Sequence, residues 1–97
     1  MNEHQAIHEL KNVAAFLNDT LRLLKQMQTD YSTRVEEDGW YEEVLEIMKN
    51  IEQDLNNVAL VSKEIRDWIP KSMISKVDEL DVLIDVSFIA IEAIRSN

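Results

Sequence analysis

The sequence predicts an all-α fold, a bundle of three long antiparallel helices, and three observations carry that expectation. One glycine and one proline in 97 residues leave almost no turn chemistry. Apolar residues make up 45% of the chain and fall in long stretches rich in Leu, Ile, Glu and Lys. They recur every three or four positions, the spacing that lines one side of a helix.

The first helix is expected over about residues 2–32. Asn2 can accept a hydrogen bond from the backbone N–H of Gln5 and so cap it. With Leu10, Leu17, Leu24 and Tyr31 at heptad position a, Ala6, Val13, Thr20 and Met27 take position d. Phe16, Leu21 and Leu23 widen this stripe, so the helix should face more than one neighbour. A connection follows in "YSTRVEEDGW", which holds the lone Gly39 and ends with Asp38 placed to cap the next helix.

The second helix is expected over about residues 40–69. Val44, Ile51, Val58 and Ile65 form its a row, and Ile47, Val61 and Trp68 its d row, with Asp54 interrupting. Pro70, which lacks an N–H and restricts the residue before it, should end the helix. The third helix is expected over about residues 72–95, starting near Ser72 or Ser75, where "SKVD" has the spacing of a capping box. Val77, Leu80, Ile84, Ile91 and Ile94 make one stripe; Val82, Val86, Ile89 and Ala93 belong to a second. A helix apolar on two sides should be sandwiched between partners, within the chain or across a dimer.

One domain is expected, with a core thin enough that pairing with a second copy around a four-helix-type core would be a natural way to bury more apolar surface. Trp40, Tyr41 and Trp68, near the ends of the second helix, are expected to pack there, and Met27, Met48 and Met73 to fill the core.

Charge and composition narrow the function. Nineteen acidic residues against ten basic give a net charge of −9, which repels phosphate backbones and anionic lipid and suits a basic protein surface. Neither nucleic acid nor a membrane is therefore an expected partner. The absence of cysteine rules out disulfides, thiolate nucleophiles and zinc–thiolate sites. "MNEHQAIHEL" has no basic region followed by an apolar run, and no stretch approaches ~18 consecutive apolar residues, so a cytoplasmic location is expected.

His8 is the residue with most chemical promise. With Leu10 at a, it falls at f, pointing away from the seam, with Lys11 and Asn12 on its face and Glu9 towards the bundle edge. An exposed imidazole beside a carboxylate can be held in one tautomer with its other nitrogen free to attack an electrophile, which suits a phosphoryl acceptor. "HELKN" followed by "VAAFLNDTLRLL" resembles the H-box of the dimerisation and histidine-phosphotransfer domain of sensor histidine kinases. The resemblance covers roughly residues 4–69, though only its five-residue motif is distinctive. It implies a helical hairpin that pairs into a four-helix bundle, His8 as phosphoacceptor, Glu9 as acid/base neighbour and Asn12 as a polar group placing water or partner. It also implies a response-regulator-like receiver domain as partner. Two features depart from the family pattern: Val13 stands where many members have proline, and only seven residues precede His8.

A kinase needs glycine-rich loops around its nucleotide, and one glycine cannot build them. No enzyme is expected beyond a phosphotransfer intermediate, and no cofactor. The same residues also suit an ordinary solvated helix face. His4 and His8 have the spacing of a two-histidine metal pair, but Asn12 stands where a further histidine would complete a zinc-protease pattern, so no metal site is expected. Glu36, Glu37, Asp38, Glu42, Glu43 and Glu46 complement the dipole at the start of the second helix, or form a docking patch for a basic partner.

Two functions follow. The first is a non-catalytic interaction module, dimeric, built like a phosphoacceptor hairpin with an added helix. The second is an acidic adaptor, chaperone or inhibitor that uses the third helix and the acidic cluster, with no chemistry at His8. A metal-binding regulator acting through His4 and His8 stands behind both.

Overall fold

The computed structural model describes residues 1–34 and 40–96, with side chains described for residues 1–30 and 42–96. The chain runs through α1 (Glu3–Arg34), α2 (Trp40–Trp68), one 3₁₀ turn (Lys71–Met73) and α3 (Ile74–Arg95). Each α-helix packs against the other two, giving a body of 50 × 19 × 17 Å. Its long axis is one helix long, since 29 residues at ~1.5 Å each span about 44 Å. Among the described residues no helix is long and apolar enough to cross a membrane.

Local chemistry explains the boundaries. At the start of α1 the Gln5 N–H donates to Asn2 Oδ1 at 2.8 Å, and the Asn2 N–H donates to Gln5 Oε1 at 2.9 Å. Two orphan donors are thereby satisfied reciprocally, as in a capping box. α2 ends before Pro70, whose backbone is extended at φ −57°, ψ 144°. The Met73 N–H then donates to the Pro70 carbonyl at 2.9 Å, closing the 3₁₀ turn.

The capping box expected at "SKVD" does not form. Met73 is the N-cap of α3 and makes no side-chain capping bond, because the 3₁₀ turn leads straight into the helix and places Ser75 inside its first turn. Asp38 and the connection over 35–39 lie outside the described residues, and the Tyr31, Trp40 and Tyr41 side chains lie outside the described side chains.

The seam of α1 is the expected one: Ala6, Leu10, Val13, Leu17, Thr20, Leu24 and Met27 are all buried. α2 buries Val44, Ile51 and Ile65 of its expected a row, with Val58 only partly buried, but does not bury the expected d row. Ile47 and Trp68 are exposed, Asp54 is exposed and Val61 is only partly buried. Met48, Leu55, Ser62 and Ile69 are buried instead. A helix with a fixed row at 44, 51, 58 and 65 can turn inward the residues three places on or four places on. The first choice would bury the Asp54 carboxylate, the second only a hydroxyl, which is far cheaper once hydrogen-bonded. In α3, Val77, Leu80, Ile84, Ile91 and Ile94 are buried as expected, joined by Ser87. The buried apolar residues of all three helices form one cluster.

Polar ties set α3 against α2. The Ser62 hydroxyl, 1% exposed, donates to Asp81 Oδ1 at 2.9 Å. Arg66 donates to Asp78 Oδ1 at 2.7 Å and Asp81 Oδ2 at 2.8 Å. Further along, Arg95 donates through both terminal nitrogens to the two Glu52 oxygens, at 2.9 and 2.8 Å. Ser87 donates to the Leu83 carbonyl at 2.7 Å, and among the described residues no buried side-chain N or O atom lacks a partner.

These contacts generate two predictions. Leu55→Ala, at a fully buried position, costs about 2–5 kcal/mol in urea unfolding, whereas Leu60→Ala, 65% exposed, stays within about 0.5 kcal/mol of wild type. The forked Arg95 hydrogen bonds hold the Glu52 carboxyl below its ordinary value of 4.5, against an opposing push from partial burial. A lowered folded-state value means stabilisation that is complete above the unfolded value and lost as pH falls through the folded one. Wild type should exceed Glu52→Gln by up to about 1 kcal/mol at neutral pH, and the gap should close below pH 4.5 in unfolding curves taken across the acid range.

Candidate functional site

Two faces of the bundle carry the candidate groups. On α1 the inward turn of Ala6, Leu10 and Val13 directs His8 outward, and it is exposed as expected. His4, Lys11 and Asn12 are exposed too, while Glu9 is partly buried. His4, Gln5, His8 and Glu9 line one shallow depression of about 420 Å³. Asn12 does not line it, so the three residues of the H-box-like motif are not gathered into one concavity.

An imidazole here is exposed, and the carboxylate of Glu9 lines the same depression without a hydrogen bond to it among the described residues. His4 and His8 share the depression, but among the described residues no three His, Cys, Asp or Glu side chains come together to hold a metal ion. Of the acidic cluster, Glu42, Glu43 and Glu46 are exposed on the first turns of α2; Glu36, Glu37 and Asp38 lie outside the described residues.

The second face is the outside of α3. Its inward row at 77, 80, 84, 87, 91 and 94 leaves Val82, Val86, Ile89 and Ala93 about half a turn away, directly opposite the core. Val82 is 60% exposed, Val86 43% and Ile89 67%, and Ala93 is exposed as well. The sandwich expected for this helix is therefore not formed among the described residues: one stripe is covered and the other is open. The physical reason is geometric, since α1 and α2 both approach from the inward side.

The two borders of the open row differ. Asp78, Asp85 and Glu92 follow one another at seven-residue spacing on the side towards α2, where Asp78 reaches Arg66. Lys76, Leu83 and Ala90 follow the other border, towards α1. There Leu83 and Glu79 join Lys11, Ala14 and Asn18 of α1 around a depression of about 420 Å³. A neighbouring depression of about 450 Å³ is lined by Ser75, Asp78, Glu79, Val82 and Leu83. Comparison with protein-family models, curated proteins and solved structures gives no match to this chain.

The contrast between the two stripes of α3 is directly testable. Val86→Asp should change unfolding free energy by no more than about 0.5 kcal/mol, because the new carboxylate stays in water. Ile84→Asp, only two positions away but 5% exposed, should unfold the bundle by burying an unpaired carboxylate. Urea titration followed by helical circular dichroism separates the two.

Proposed function

We propose that this chain is a non-catalytic, acidic helical adaptor whose working surface is the outer face of α3. The carrying observation is the row Val82, Val86, Ile89 and Ala93, left open along a helix whose other side is completely engaged. Scattered exposed apolar residues are ordinary, but a continuous row at seam spacing is the form a helix takes when another protein element covers it. An antiparallel course of α2 and α3 is supported by the order of their bonds: 66 with 78, 62 with 81, 52 with 95. In that arrangement α3 fills the groove of the α1–α2 pair, and its second stripe is the apolar surface left over for a partner.

A second reading rests on His8. Its exposure beside Glu9, in a depression open to a large molecule, favours a phosphoacceptor of the kind the H-box-like motif implies, served by a receiver-like donor. Under that reading the chain relays a phosphoryl group and still catalyses nothing alone.

One comparison separates them. The tagged chain, expressed at native level in its source organism, is compared by quantitative mass spectrometry as wild type, Val86→Asp/Ile89→Asp and His8→Gln. The adaptor reading expects a defined partner retained by His8→Gln and lost by the double variant; retention by all three overturns it. Incubation with acetyl phosphate and with a phosphorylated receiver domain, followed by intact mass at neutral pH, tests the second reading. It expects an acid-labile adduct on wild type that His8→Gln lacks.

A further inference from the structure

We infer that the outer face of α3 docks a basic amphipathic helix from a different protein. This rests on the adaptor reading and specifies the partner. From Val82 to Ala93 the open row runs eleven residues, about 16 Å at ~1.5 Å per residue, with steps of four, three and four. That is the spacing of a two-helix seam, and it is met most closely by a second helix offering apolar residues at the same steps. The depressions on either side of Leu83 and Glu79 supply recesses at one end of the row for the partner's side chains.

Charge selects the partner's type. In a two-helix seam, border residues face the partner's border residues. The border made by Asp78, Asp85 and Glu92 is wholly acidic, and its negative charge is only partly neutralised within the chain. Asp78 shares the single cation of Arg66 with Asp81. Arg95 lies 3.5 Å from Glu92 but gives both of its shorter bonds to Glu52. Asp85 has no ion pair among the described residues. Lys or Arg at seven-residue spacing on the incoming helix would complement this border.

A second copy of the chain fits less well. Antiparallel pairing through α3 would set the acidic border against itself, and parallel pairing would offer those acids only Lys76 among Leu83 and Ala90. Either would bring two molecules of charge −9 together.

Two synthetic helical peptides test the inference. Both match α3 in length and carry Leu at a and d; one has Lys and the other Glu at the border positions. Binding is measured by calorimetry against wild type, Val86→Asp/Ile89→Asp and Asp85→Lys/Glu92→Lys, each first checked for wild-type helicity. The Lys peptide should bind wild type at least about tenfold more tightly than the Glu peptide. The apolar-row variant should lose at least about tenfold, and the charge-swapped variant should reverse the preference. Equal binding of both peptides that still depends on the apolar row overturns the basic partner while the α3 face stands. Binding indifferent to the apolar row overturns both. Sedimentation showing a wild-type dimer that Val86→Asp/Ile89→Asp dissolves assigns the face to a second copy and overturns the inference.

Discussion

The fold depends on α3 lying against α1 and α2 together. Two helices alone bury one strip each along a single contact, and the seams of α1 and α2 are wider than that. Residues flanking the α1 seam, such as Ala14 and Phe16, are partly buried against the core, and α2 commits Ser62 as well as its apolar row inward. A third helix closes this core, which is why Leu17, Leu55, Ile65, Val77 and Ile91 all reach full burial in a chain of 97 residues. The polar ties contribute specificity more than strength. Ser62 with Asp81 and Arg95 with Glu52 allow one axial setting of α3, whereas apolar contacts alone would tolerate a slip by a heptad.

How much of this was legible in the sequence varied with the helix. The described seam of α1 was legible because Leu, Val and Ala recur there, although Leu23, read as widening that stripe, is exposed. α2 carried two candidate stripes sharing one row, and the sequence favoured the wrong one because Ile47, Val61 and Trp68 are bulkier than Ser62. Apolar bulk was the misleading signal; the position of Asp54 was the informative one. The start of α3 fell close to the expected Ser72 or Ser75, but its cap did not, because a Ser and an Asp at capping distance say nothing of the turn that Pro70 imposes upstream. The exposure of His8 followed from the α1 heptad. The arrangement of Glu52, Arg66, Asp78, Asp81 and Arg95 did not, since long charged side chains reach across elements that periodicity cannot align.

The open row on α3 is where local pattern and global fold disagree. A solvent-facing helix would be expected to carry Glu, Lys or Gln at 82, 86 and 89, residues that favour the helix as well and keep it soluble. Val and Ile there have lower helix propensity and place apolar surface in water. Folding gains nothing from them, because the same helix already has a complete inward row. Such a conflict marks a surface shaped by something other than the stability of the chain alone.

The two candidate faces are separable, and that separation shapes how an adaptor of this kind would work. His8 stands on the outer side of α1, near its first turns, while the open row runs along the outer side of α3, and none of the depressions is lined by both His8 and a residue of that row. Under the proposed adaptor reading, the acids and the apolar row of α3 have different tasks. Long-range attraction between a chain of charge −9 and a basic helix speeds encounter and is screened over about 8 Å at physiological salt. Contact of Val82, Val86 and Ile89 with an apolar partner face acts only after docking and is nearly indifferent to salt. Salt should therefore slow association and leave dissociation largely unchanged, whereas replacing the valines and isoleucine should shorten the lifetime of the complex and barely alter its rate of formation.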